Sequence, residues 1–196
     1  MKFIQNINPT KLKKRLRIFW LLLVLFGIGF YLYSPDSFTQ ENISLFIKNQ
    51  NANLLLIYIT ISLIRGVFLL PSTPFVLAGA ILFPDNLPLV FTISMLGIMG
   101  TAILLYYASS YLEFDKLFGE KHSGKFDTIT EKINKHGFWI VLGWAFFPLV
   151  PTDLICYVAG TIKMNFKKYF LAIFIGEAVL VYFYLFLGKE FLEKLF

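Results

Sequence analysis

Three ionisable side chains stand inside long apolar runs, Arg65, Asp153 and Glu177, and they are where chemistry would have to happen. Each costs about 2.5–3.5 kcal/mol at the centre of a membrane helix on insertion scales, so each should face protein and find a partner. Arg65 can pair with Asp153 or Glu177, or take a phosphate directly with its planar fork of donors. Asp153 follows Pro151-Thr152 and would also serve as a plain helix cap. Glu177, in Ile175-Gly176-Glu177-Ala178, has the weakest structural explanation. It is the first candidate for a group that takes up and releases a proton, with Asp153 second; a structural hydrogen bond from a Tyr or Trp would also account for it.

Two proline pairs accompany these residues, Pro71-Ser72-Thr73-Pro74 and Pro148-Leu149-Val150-Pro151, the second followed by Thr152. Each interrupts an apolar run, since proline removes a backbone donor and bars the preceding residue from α geometry. Unwound backbone in hydrocarbon costs several kcal/mol per unpaired group, so it is tolerated only where protein or water surrounds it. Ser72-Thr73-Pro74 and Pro151-Thr152-Asp153 resemble helix starts with a capping side chain beside a proline. Two such N-termini would aim backbone N–H groups and positive dipole ends at an anion such as a lipid phosphate. A pair of proline kinks in an ordinary bundle would leave the same pattern. Tyr157, between polar positions after the second break, and Gly160 complete the candidate binding set.

Other chemistries lack residues. One cysteine, Cys156, cannot form an intramolecular disulfide, and His122 and His136 have no ligand cluster around them, which excludes zinc-type spacing. No Ser/His, metal or paired-carboxylate constellation is visible, so no enzyme, metal or cofactor is expected.

The elements that must hold these residues follow from composition. The chain has 196 residues, 57% hydrophobic, 18% aromatic and 15% charged, with mean hydropathy +0.69. Soluble domains run near 45–50% apolar and about 25% charged. A water-soluble domain and a disordered chain are both excluded. The net charge of +6 does not argue for nucleic acid, because six of eighteen basic residues, Lys2, Lys11, Lys13, Lys14, Arg15 and Arg17, precede the first apolar run. They read as a cytoplasmic anchor.

Ile18 to Tyr33 is that first run; bulky Tyr31, Leu32 and Tyr33 offer no signal-peptide cleavage site, so an uncleaved helix from inside to outside is expected. Ser34 to Asn53 is polar, with Ile43, Leu45, Phe46 and Ile47 suited to a short helix on the membrane surface. Leu54 to Leu70 and Phe75 to Phe83 flank the first break, Leu87 to Leu112 is long enough to span, and its Gly97 and Gly100 would suit a second copy of the chain. Leu54 to Leu70 has the length to be a span of its own. Glu113 to Gly137 is polar and carries five lysines, which places it inside; Phe126, Ile129 and Ile133 at helical spacing allow an amphipathic helix there, or a solvated connector. Phe138 to Phe147 and Thr152 to Ile162 flank the second break, and Tyr169 to Leu187 is the last span. Lys163, Lys167 and Lys168 mark the inside once more, or gather anionic head groups.

The two halves therefore repeat: an apolar arm, a Pro-x-x-Pro break, a second arm ending in Ala-Gly, a polar turn, and a full-length helix. With the long polar loop inside, the first arm pair dips in from the outer face and the second from the cytoplasm. The predicted fold is an all-α integral membrane protein, an inverted repeat of re-entrant helical hairpin plus transmembrane helix, with an extra N-terminal transmembrane helix. Its parts are residues 1–53, a domain at 54–188 with hairpins at about 54–86 and 138–163, and a tail at 189–196. Transporters use this arrangement to build a site near the bilayer midplane.

Phe146-Phe147-Pro148-Leu149-Val150-Pro151-Thr152-Asp153-Leu154-Ile155-Cys156-Tyr157-Val158-Ala159-Gly160 resembles the second re-entrant motif of the DedA/VTT family, the SNARE-associated Golgi-protein-like membrane proteins. Arg65 through Pro71-Ser72-Thr73-Pro74 to Ala78-Gly79 is similar to the first. The resemblance covers Leu54 to Gly188 and implies two facing re-entrant hairpins. For several members it implies movement of phospholipids or polyprenyl phosphates between leaflets, by scrambling or by proton-linked flipping; others are tied to envelope integrity or trafficking. Where the family motif usually carries Arg, three residues before the first proline of the second break, this chain has Ala145.

The expectation is a transporter of phosphate-bearing membrane lipids in a bacterial cytoplasmic membrane, N-terminus inside, with no nucleic-acid partner. Arg65 and the breaks at Pro71, Ser72, Thr73, Pro74 and at Pro148, Pro151, Thr152 would hold the phosphate. The alternative is a membrane scaffold that transports nothing.

Overall fold

A computed structural model of the chain describes residues 9–50, 53–112, 135–146 and 152–187. Among them every regular element is helical: α1 (Pro9–Tyr33), a 3-10 turn at Pro35–Phe38, α2 (Gln40–Lys48), α3 (Leu54–Ile64) running into a 3-10 turn at Arg65–Phe68, α4 (Thr73–Leu82), α5 (Leu87–Leu112), α6 (135–145), α7 (Thr152–Thr161) and α8 (Phe166–Tyr182), which a π-helical turn extends over Phe183–Leu187. Pro148, Pro151, the amphipathic stretch with Phe126, Ile129 and Ile133, and the tail 189–196 lie outside the described residues.

Among the described residues three stretches are long and apolar enough to cross a membrane: Leu12–Tyr33, Pro84–Tyr111 and Phe166–Leu187. They coincide with the spans expected from hydropathy. The helices α3, α4 and α7 have 11, 10 and 10 residues, which at 1.5 Å per residue gives about 15 Å, half of a hydrocarbon core.

Local chemistry sets several boundaries. Asn53 starts α3 by accepting from the Leu55 and Leu56 amides at 2.9 and 3.3 Å, and Asn165 starts α8 by accepting from Lys168 N at 3.2 Å. The first break departs from expectation. The α geometry stops at Arg65, six residues before Pro71, and the chain closes through Leu69 in the left-handed region, φ 56°. Leu69 N and Leu70 N bond to Gly66 O and Arg65 O at 3.3 and 3.2 Å, which satisfies carbonyls a cut helix would orphan. Leu54 to Leu70 is thus not a continuous span. Ser72 stands at the N-cap of α4 without a side-chain capping bond; its carbonyl accepts from Phe75 N and Val76 N at 3.1 Å each, and Pro74 in the first turn needs no amide partner. The expected capping side chain is therefore absent at this start.

The helix α5 is the axis of the bundle, packing against α3, α4, α7 and α8. Small residues set how close they come. A Cβ on Gly97 would lie 2.9 Å from Ser62 O of α3, and one on Gly176 would lie 2.5 Å from Ala145 Cβ of α6. Gly97 and Gly176 are each the eleventh residue of their helices, so both halves cross their first arm over the long helix at one equivalent place. Gly97 is consequently committed inside the chain; Gly100 is exposed.

Contacts along α5 also give direction. Tyr58 meets Ser94 at 3.1 Å, Ser62 meets Gly97, and Gly66 meets Thr101, so α3 climbs from the α5 start to its middle. Gly79 of α4 packs on Tyr58 and Val90, back at the α5 start. At the other end Tyr106 donates to Met164 O at 2.5 Å, Tyr169 donates to Ala102 O at 2.9 Å, and Gly160 packs on Tyr106 and Ser109. Lys13 lies over the Tyr111 ring, 4.8 Å from its centre, so α1 runs antiparallel to α5. The helix α2 buries Ile43, Ser44 and Ile47 against α4 and leaves Leu45 and Phe46 exposed.

Candidate functional site

The broken arms deliver charge to the middle of the bundle. Gly66, beside Arg65, abuts Thr101, the fifteenth of the 26 residues of α5. Glu177 is the twelfth residue of the 22-residue stretch Phe166–Leu187. Both sit about halfway along helices long enough to span.

Arg65 is 5% exposed. Its Nη1 donates to Leu70 O at 3.0 Å and stands 4.0 Å from Asp153 Oδ2. The turn after α3 brings the Leu70 carbonyl to the Arg65 side chain, and the α-helical donor to that carbonyl would be the amide of residue 74, which Pro74 lacks. Among the described residues this is the guanidinium's one hydrogen bond, although an arginine carries five N–H donors. Asp153 lies in the first turn of α7 and is buried. One half of the repeat thus supplies the cation and the other the anion.

Glu177, 1% exposed, accepts from Thr152 Oγ1 at 2.5 Å through Oε1. Its Oε2 has no hydrogen-bond partner among the described residues. Thr152 precedes Asp153 in the first turn of α7, so this bond ties Glu177 to the turn that carries the partner of Arg65. Thr152 is therefore a tether between α7 and α8. The Tyr or Trp donor considered for Glu177 is replaced by this threonine.

The remaining candidates divide. Pro71 and Ser72 join the Arg65 segment to α4 and Thr73 and Pro74 open that helix, all four half-buried. Tyr157, one helical turn beyond Asp153, packs edge-on against Trp20 of α1, ring centres 6.3 Å apart. Gly160 stands away from the cluster: seven residues beyond Asp153, about 10 Å along the helix, it serves the α5 crossing. Ala145 is fully buried against Gly176, so a longer side chain at 145 has no room while that crossing stands.

Trp20 was not legible as a site residue. Its Nε1 is buried without a hydrogen-bond partner among the described residues, and it sits near the middle of the first span. Nothing in its spacing separates it from the aromatic residues that fill such helices. Among the described residues no group of three His, Cys, Asp or Glu could hold a metal ion.

The VTT domain family matches residues 70–190, from the first break through α8, leaving Arg65 just outside. An uncharacterized protein of Methanocaldococcus jannaschii is 34% identical over 116 residues, covering 56% of this chain and 67% of its own length. No solved structure matches.

Proposed function

The chain belongs to the VTT-domain family and is an integral membrane protein, with three helices fit to span among the described residues; from that premise we propose that it moves phosphate-bearing lipids between leaflets without covalent catalysis. The observation that carries the reading is the mid-height meeting of buried Arg65 with Asp153 at 4.0 Å, next to Thr152, which holds buried Glu177. Such groups inside a membrane bundle are costly and mark pathways. Arg65 has donors to spare for a phosphate, which binds a guanidinium bidentately. The unbonded Oε2 of Glu177 is the atom to which a proton would add if transport is proton-linked, with Asp153 as counter-ion to Arg65.

In this reading α3 with α4, and α6 with α7, are re-entrant hairpins that meet at the midplane. Lys13, Lys14, Arg15 and Arg17 share one end of the bundle with Lys163, Lys167 and Lys168, since Lys13 lies on Tyr111 and Phe166 packs on Tyr107. In this reading that end is the cytoplasmic one, as the positive-inside rule favours, and the N-terminus lies on that side.

Reconstitution into liposomes with fluorescent phospholipids and dithionite tests this. Quenching beyond the outer-leaflet half, lost in Arg65→Ala with the fold intact, is expected. Absence of exchange for phospholipids and for a labelled polyprenyl phosphate alike would refute transport and favour the scaffold.

A further inference from the structure

An apolar cavity of about 530 Å3 opens beside Arg65, walled by Phe30 of α1, Phe38 of the following turn, Phe46 of α2, and Ile61 and Ile64 of α3. Among the described residues of its lining Arg65 is the one that carries a charge. The volume falls within the usual range of ligand pockets and far exceeds what packed interiors leave unfilled. Phe46 and Ile64 are 57% and 50% exposed, so the cavity is open on its flank, toward the surface that faces lipid. Most of its walls precede residue 70 and lie outside the matched family domain. They are built by α1, α2 and α3, which precede the matched residues.

Hydrocarbon walls ending on a buried guanidinium match an amphiphile with a chain and an anionic head. We infer that this cavity seats one hydrocarbon chain of a phosphate-bearing lipid whose head group reaches Arg65. The inference rests on the lipid-transport reading for what happens next, but not for occupancy. Entry is lateral, past Phe46 and Ile64. The N-terminal helices then act as a chain-selecting wall for a head-group site that the repeat supplies.

The test uses the whole protein in liposomes containing phosphatidic acid with a diazirine along one acyl chain, irradiated and mapped by peptide mass spectrometry. Adducts at Phe46 and Ile64 should exceed those at Leu96 and Leu171, which are 66% and 51% exposed, by about tenfold, a preference worth 1.4 kcal/mol. Unlabelled phosphatidic acid should displace the probe, and diacylglycerol with the same chains should not. Ile61→Trp, which fills the cavity, should lower the adducts to the level of the lipid-facing controls; Ser37→Trp at the exposed rim does the same if the first variant fails to fold. Evenly spread adducts would overturn the seat, and equal displacement by diacylglycerol would overturn the head-group assignment. Leaflet exchange on the same liposomes separates the two proposals: cavity adducts without exchange leave the seat standing and refute transport, whereas exchange without cavity adducts refutes the seat alone.

Discussion

Replacing Arg65 with methionine removes the cation of a buried pair while keeping most of the side-chain volume, and the structure sets how much that should cost. Two unit charges 4.0 Å apart attract by about 4 kcal/mol at an effective dielectric near 20. The pair shares no hydrogen bond, and 4.0 Å is the outer limit of contact, so about half of that, near 2 kcal/mol, should survive as coupling. Arg65→Met alone should cost about 3–5 kcal/mol, because it leaves the Asp153 carboxylate buried and uncompensated. Asp153→Asn alone should cost a similar amount, about 3–5 kcal/mol, since the guanidinium cannot shed its charge and keeps only its bond to Leu70 O. The double variant should then be more stable than the sum of the two losses by about 2 kcal/mol. Unfolding by SDS titration or steric trapping in bicelles would read all four proteins. Coupling below about 0.5 kcal/mol would refute the pairing. It would mean that Arg65 is held by Leu70 O and that Asp153 serves α7 by itself.

Thr152→Val removes the hydroxyl that donates to Glu177 and leaves both carboxylate oxygens without a donor among the described residues; a loss of about 1–3 kcal/mol is expected in the same titration, with Thr152→Ser restoring most of it. Gly160→Leu drives a side chain into Tyr106 and Ser109 of α5 and should cost about 1–3 kcal/mol or prevent folding, whereas Gly143→Ala, with nothing among the described residues within 4 Å of the new Cβ, should not destabilise and should gain up to about 1 kcal/mol of helix propensity. Lys163 sits at φ 55°, a conformation that strains an L-residue by about 1–2 kcal/mol, so Lys163→Gly should raise the thermal midpoint even after glycine's entropic cost. Gly176→Leu should separate α6 from α8 and abolish leaflet exchange together with stability, which a far-UV and exchange measurement on one preparation would show.

Much of the architecture was legible because hydropathy and length act on a segment by themselves. Leu87 to Leu112 spans whatever its neighbours do, and it appears as α5 with those bounds. The proline pairs foretold interruptions, yet placed the first one six residues late. Pro71 only forbids α geometry nearby; the chain leaves it at Arg65, where Gly66 comes against Thr101 across the bundle. The same limit hid the partner of Glu177. Thr152 looked like a cap by its position beside Pro151, and it bonds instead to a residue twenty-five positions away.

The cavity beside Arg65 was beyond the reach of pattern reading for a related reason. Phe30, Phe46 and Ile64 look like lipid-facing residues of three separate helices, and only the angles at which α1, α2 and α3 meet leave space among them. Gly97 shows the converse: a residue that reads as a face for another chain is used up against Ser62 of its own.

The sequence by itself determined that this chain lives in a membrane, which stretches can cross it, and which three charges must be sheltered, because transfer from water to hydrocarbon is a property of each segment and depends little on the rest. Tertiary structure alone decided that Arg65 faces Asp153, that Glu177 is tethered through Thr152, that Trp20 meets Tyr157, and where empty space remains. Pairing depends on distances between residues far apart in the chain, and those are set by how closely the glycine crossings let the helices approach.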